Sequence, residues 1–73
     1  MKLYILNDNV NTFEHVTYCI QKYLNYPHMQ GVSITHIVND TGKCLVKESD
    51  DDVIVQEIYE SLVKEGLNLK IEN

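Results

Sequence analysis

Asn7, Asp8, Asn9 and Asn11 are the densest group of hydrogen-bonding side chains in this chain, four within five positions. They follow a short apolar run, Leu3-Tyr4-Ile5-Leu6, and precede a helical pattern that begins near Thr12. A carboxylate and three amides together offer many hydrogen-bonding groups in a short span. Such a segment is too polar for a core, so its side chains must bond to backbone, to solvent or to a ligand. The bland account is a strand-to-helix turn closed by Asx hydrogen bonds. The sharper one is that some of these side chains bind a ligand.

No other group of residues in the sequence proposes chemistry of its own. The chain has no HExxH, P-loop, CxxC or Ser-His-Asp pattern in recognisable context. The three histidines, His15, His28 and His36, are read as structural or solvent-facing, because a metal site would need partners that cannot be placed. The Asp50-Asp51-Asp52 run fits a helix N-terminus on a solvated face, with a docking surface as the alternative. The five tyrosines, at 4, 18, 23, 26 and 59, are scattered and suit a core edge better than a base-stacking platform. These readings predict a protein without enzymatic activity, metal or cofactor.

The elements that position the polar turn follow from periodicity. The apolar run Leu3–Leu6 predicts a first strand. Asn11 fits an N-cap, with Glu14 three residues on in a variant capping box. Phe13, Val16, Cys19, Ile20, Tyr23 and Leu24 then recur at helical spacing and predict a helix from Thr12 to Leu24. Pro27 suits the first position of a second helix. That helix, His28 to Asn39, competes with a strand over 32–37, because Val32, Thr35, Ile37 and Val38 are β-branched and Gly31 weakens a helix further. Read as a helix, it presents Gly31, Val32, Thr35, Val38 and Asn39 on one face and stops at Gly42.

Lys43 to Lys47 alternates in character and predicts a second strand. Ser49 is the expected cap of a third helix, with the three aspartates in its first turn, a stripe of Val55, Ile58, Tyr59 and Leu62, and an end at Gly66. Leu67, Leu69 and Ile71 alternate with Asn68, Lys70 and Glu72 as a third strand. The order β-α-α-β-α-β predicts one α+β two-layer domain over residues 1–73, a three-stranded antiparallel sheet packed by three helices.

Composition narrows the partners. At 73 residues there is room for one small domain with a compact core. A net charge of −5 argues against a nucleic-acid backbone as partner. No apolar run approaches the ~18 residues of a membrane span, and no secretory signal is visible, so a cytoplasmic setting is expected. Cys19 and Cys44 read as small buried or half-buried thiols of a reducing compartment; a disulfide would need their Cα atoms within about 7 Å.

The stretch Asn7-Asp8-Asn9-Val10-Asn11-Thr12-Phe13-Glu14-His15-Val16 resembles the opening motif of the Clp protease adaptor family, ClpS. Gly42-Lys43-Cys44 after the second helix is a second, weaker match, and length and element order agree over nearly the whole chain. The resemblance implies a fold like the C-terminal domain of the ribosomal stalk protein. It also implies an adaptor that binds a free α-amino group with a large hydrophobic first side chain (Leu, Phe, Tyr or Trp) and hands the substrate to a Clp AAA+ ATPase. Residue by residue, Asn7, Asp8, Asn9 and Asn39 fall at amine-binding positions, and Thr12, Phe13, Val16, Thr35, Val38 and Leu67 at hydrophobic-pocket positions.

Two of these residues depart from the family pattern. Asn9 stands where a second aspartate is usual, and Asn39 stands where a histidine binds the amine. Both changes imply weaker ammonium binding. Only Met1 and Lys2 precede the first strand, where the family carries a delivery extension. The alternative is an interaction module of the same fold that binds a Clp chaperone or another protein through the surface near Lys47 to Asp52, without reading N-termini.

Overall fold

The computed structural model describes residues 1–73. Its elements are β1 (Lys2–Leu6), α1 (Phe13–Leu24), α2 (His28–Thr41), β2 (Lys43–Glu48), α3 (Asp52–Lys64) and β3 (Leu69–Glu72). β1 is central in a sheet of order β2-β1-β3 and is antiparallel to both neighbours. The expected α+β architecture is therefore the one observed, and the second segment is a helix despite its β-branched residues.

Burial alternates along β1: Leu3 and Ile5 are buried while Lys2, Tyr4 and Leu6 are not. Opposite them the ladder slips, pairing Leu3 with Lys47 and Tyr4 with Leu45, so Val46 is the extra residue of a bulge. That slip leaves Val46 2% exposed, in the core. Helices cover the buried face with Val16, Cys19 and Ile20 from α1, Ile34 and Val38 from α2, and Val55 and Leu62 from α3. Fully burying a side chain such as Leu3, Ile5, Ile20 or Leu62 stabilises by roughly 1.5–3 kcal/mol. No helix is long and apolar enough to cross a membrane.

The helix caps differ from the sequence expectation by one or two residues. Thr12, not Asn11, caps α1: its hydroxyl accepts from the His15 amide at 3.1 Å, with Thr12 in extended backbone at φ −73° and ψ 158°. Asn11 is occupied elsewhere, as described below. Asp51, not Ser49, caps α3 by accepting from the Val53 amide, and Ser49 instead accepts from the Asp51 amide one step outside. Only Asp52 of the three aspartates lies in the first helical turn.

Pro27 precedes α2 as its N-cap rather than sitting inside it. The buried face of α2 is Gly31, Ile34, Thr35 and Val38; Val32 is half-buried and Asn39 exposed. The 31-35-38 spine was expected, and the direction in which it widens is set by the sheet, which the sequence pattern does not contain. Gly42 ends α2 in the left-handed region at φ 93°, and Gly66 follows α3 at φ 87°, both positions where a Cβ would be strained.

Candidate functional site

The polar turn, the start of α1, the end of α2 and the α3–β3 link meet around one cleft at the end of β1. Nine of the ten candidate residues line it: Asn7, Asp8, Thr12, Phe13, Val16, Thr35, Val38, Asn39 and Leu67. Asn9 does not; it is exposed outside the cleft, because Asp8 folds the chain into a tight turn that carries position 9 outward. Ile5, Leu6, Asn11 and Asn68 complete the lining. Sequence reasoning missed these four for two reasons. Ile5 and Leu6 read as ordinary strand residues, and Asn11 and Asn68 as a cap and an outward strand position.

The cleft has an apolar base and a polar rim. Ile5, Val16, Thr35, Val38 and Leu67 are buried, whereas Asn7, Thr12, Asn39 and Asn68 are exposed. Leu67 lies ahead of β3 rather than within it; its amide bonds the Leu62 carbonyl at 3.2 Å, and it enters the cleft as part of the helix-ending turn. The two edges of the cleft are laced to the polar turn through backbone. The Leu6 amide donates to Asn68 O at 2.8 Å and the Asn7 amide to Gly42 O at 2.9 Å.

Asp8 is the only ionisable side chain lining the cleft. Its Oδ1 accepts the backbone N–H groups of Val10 at 2.9 Å and Asn11 at 2.8 Å, and its Oδ2 accepts the Asn11 amide at 2.8 Å. These bonds, led by the Asn11 backbone amide, hold the carboxyl below its ordinary value of 3.8, so it carries its charge at neutral pH. A carboxylate has about four acceptor sites, so Asp8 keeps capacity for a further donor. On the other side, the Thr35 hydroxyl donates inward to Gly31 O at 2.8 Å. Its single proton is thereby used, so the 2.9 Å contact with Thr17 has Thr17 as donor. Thr35 accordingly has no proton left to donate to a ligand in the cleft.

Phe13 is half-buried and packs on the exposed His36 ring, centroids 4.8 Å apart at 58°. It borders the cleft on one side and, on the other, a wider hollow of about 460 Å³ formed with Glu14, Thr17, Tyr18, Gln21, His28 and Val32. The cleft itself encloses about 20 Å³, room for about one water molecule. A large hydrophobic side chain enters only if Phe13 or the α2 wall moves.

The remaining reactive groups lie apart from the cleft. Cys19 is fully buried, and burial together with Glu65 raises its thiol to about 11 despite an opposing contribution from Lys22, so it is not a nucleophile at neutral pH. Burial likewise raises Cys44. Both thiols are free. His15 Nε2 donates to Glu65 O at 2.8 Å, since a carbonyl can only accept. His28 pairs with Gln21 at 2.7 Å on the surface. No trio of His, Cys, Asp or Glu is placed to hold a metal ion.

Comparison with known proteins bears on the family and the fold. A family model described as the ATP-dependent Clp protease adaptor protein ClpS matches residues 1–70. Among solved structures, that of Agrobacterium tumefaciens ClpS2 bound to L-phenylalaninamide is similar with a TM-score of 0.75. It is 18% identical, over 97% of this chain and 94% of that one. No curated protein sequence matches the chain directly. At such low identity the structural likeness speaks to the fold, and the family rests on a sequence match spanning nearly every residue. The chain belongs to the ClpS family of ATP-dependent Clp protease adaptors.

Proposed function

We propose that this chain binds the N-termini of proteins destined for degradation and passes them to the N-terminal domain of a Clp AAA+ ATPase. In this reading the cleft takes a free α-amino group at its rim and a large hydrophobic first side chain at its base. The observation that carries it is the placement of one charged carboxylate, Asp8, beside Asn7 and Asn39 above the apolar base of Val16, Val38 and Leu67. An ammonium has three donors and no acceptor, and this rim supplies acceptor oxygens only where amides and a carboxylate can turn them inward. Charge-assisted hydrogen bonds contribute near 1.5–3 kcal/mol each, and a buried first side chain adds on the order of 1.5–3 kcal/mol. Requiring both at once gives specificity for an N-terminal residue.

Because the cleft encloses only about 20 Å³, binding includes an opening step. Phe13 has the hollow between α1 and α2 beside it, with exposed His36 as its only ring partner. A turn of its ring toward that hollow is the opening step this reading calls for. The fold's ClpS2 relative holds L-phenylalaninamide, a free amine on an aromatic residue, which is the ligand class proposed for this chain. Calorimetry with peptides beginning in Leu, Phe, Tyr or Trp is the test. Binding that disappears on N-terminal acetylation is expected; no heat up to about 1 mM peptide, a binding energy near −4.1 kcal/mol, overturns the reading.

The closed cleft and the neutral Asn39 favour one second reading, a module that docks on a Clp chaperone through the Lys47 to Asp52 surface without binding N-termini. Retention of a Clp ATPase by a chain that ignores every such peptide would select it.

A further inference from the structure

Asn11 does more than close the turn it belongs to. Its side-chain amide has two hydrogens and gives one to Asp8 Oδ2 at 2.8 Å and the other to Gly66 O at 2.9 Å. The two backbone bonds to Asp8 Oδ1 come from within the same turn and would travel with it. The Asn11 amide is the one hydrogen-bonding group that joins Asp8 to another part of the chain, 55 residues on. Gly66 sits at φ 87° directly after α3, in a turn closed by its own amide on Val63 O at 2.9 Å and by Leu67 on Leu62 O. The same turn delivers Leu67 to the base of the cleft and accepts His15 at Glu65 O.

We infer that Asn11 is a positioning residue for amine binding: it fixes the Asp8 carboxylate at the rim by tying it to the Gly66 carbonyl, so that the charged rim and the apolar Leu67 base are held in one register. The inference rests on the amine-binding reading above. It deepens that reading by naming what orients the one charge a cationic ligand would meet. Asparagine suits the position because it alone, among residues of its size and shape, can donate to a carboxylate and a carbonyl at once. An aspartate there would set a second carboxylate against Asp8 and against Gly66 O. The other ionisable groups of the flanking segments are Glu14 and His15 on α1, His36 and Asp40 on α2, Lys43 at the start of β2 and Glu65 after α3; none lines the cleft, and none is among the causes that hold the Asp8 carboxyl down. Asp8 therefore responds to Asn11 without a competing charge beside it.

The experiment has two independent readouts on the wild type, Asn11→Ala and Asn11→Asp. The first is the titration midpoint of the Asp8 carboxyl, followed by carbon NMR in the ligand-free proteins. The second is the affinity for L-phenylalaninamide across pH. Removing the amide donor should raise the Asp8 midpoint in Asn11→Ala, and more in Asn11→Asp. Affinity at neutral pH should fall about tenfold in Asn11→Ala, equivalent to ~1.4 kcal/mol, and the acid limb of binding should move up in pH with the midpoint. A tie that served only the turn's shape would leave the Asp8 midpoint in place, and that result overturns the inference whatever the affinity does. So does a raised midpoint with undiminished affinity. If the wild type binds no phenylalaninamide, the amine-binding reading itself fails and the positioning role falls with it, while the midpoint still reports whether Asn11 governs Asp8.

Discussion

The two walls of the cleft differ in how far their polar chemistry is fixed by the fold. On the turn wall, Asp8 accepts three hydrogen bonds, Asn11 donates two through its side chain, and Thr12 caps α1. On the α2 wall, the Thr35 hydroxyl is drawn inward to Gly31 and Thr17, Val38 is apolar, and the exposed polar member is Asn39. One wall is a preorganised anionic surface; the other is neutral and mostly apolar. Preorganised charge costs little reorganisation on binding, so the turn wall should supply most of the attraction for a cationic amine. The α2 wall should set how much is added.

The largest effect should come from Asp8→Asn. The substitution removes the cleft's one charge and puts an NH2 group where the Asn11 amide must donate. Losing a charge-assisted contact of near 1.5–3 kcal/mol predicts that affinity for phenylalaninamide falls roughly 10- to 100-fold. Calorimetry reads this directly, and unchanged affinity would show that the turn wall is structural only. The same variant has a pH signature. The Asp8 carboxyl is held below 3.8 by its hydrogen bonds in the folded state. Its contribution to stability is thus complete above the unfolded value and is lost as pH falls through the folded one. Urea titrations between neutral pH and about pH 3 should show the wild type losing more stability than Asp8→Asn.

This contrast between the walls also marks what could be read from the sequence. The element order and the α1 stripe were legible because period and caps are local properties, and so was the polarity of residues 7–11. Gly42 and Gly66 were legible for the same reason, as helix stops. What escaped depended on distant partners. Asn11 read as a cap because a good N-cap residue before a helix is the local solution; the Gly66 carbonyl 55 residues away outcompetes it, and Thr12 takes the cap. The face of α2 could be read along 31-35-38 but not sideways, since only the packed sheet selects Ile34 over Val32. Placing Asn7, Asp8, Asn39 and Leu67 together came from resemblance to a family, because no periodicity links residues so far apart. Nothing local marks Asn9 as leaving the cleft.

Asn39→His sharpens the comparison from the other side. An imidazole on the α2 wall, neutral above its usual pKa of about 6.5, offers a basic nitrogen acceptor where the amide now stands. Affinity for phenylalaninamide should rise about tenfold at neutral pH, the scale of one ~1.4 kcal/mol contact. It should decline again as the ring protonates, because His⁺ repels an ammonium. Such a gain would make the two walls cooperate across the cleft. Unaltered affinity would mean that the amine is held by the turn alone and that the end of α2 is a bystander.

The smallest effect should come from Asn9→Asp, which restores the second carboxylate of the family pattern. The reason lies in where the turn puts position 9. Asp8 accepts the Val10 and Asn11 amides and so curls the chain back on itself, leaving Asn9 exposed and off the cleft. A carboxylate there would meet an amine in the cleft through water, and charges in that setting contribute ~0–1 kcal/mol and are screened by salt. Affinity for phenylalaninamide should therefore change by no more than about threefold at physiological ionic strength, and by more only at low salt. A longer peptide provides the discriminating case. If its backbone runs out over the turn, Asn9→Asp should strengthen a dipeptide or tripeptide while leaving phenylalaninamide unaffected. A large gain with phenylalaninamide itself would show that the turn opens on binding and brings position 9 inward, and the turn wall would then be less rigid than its hydrogen bonds imply.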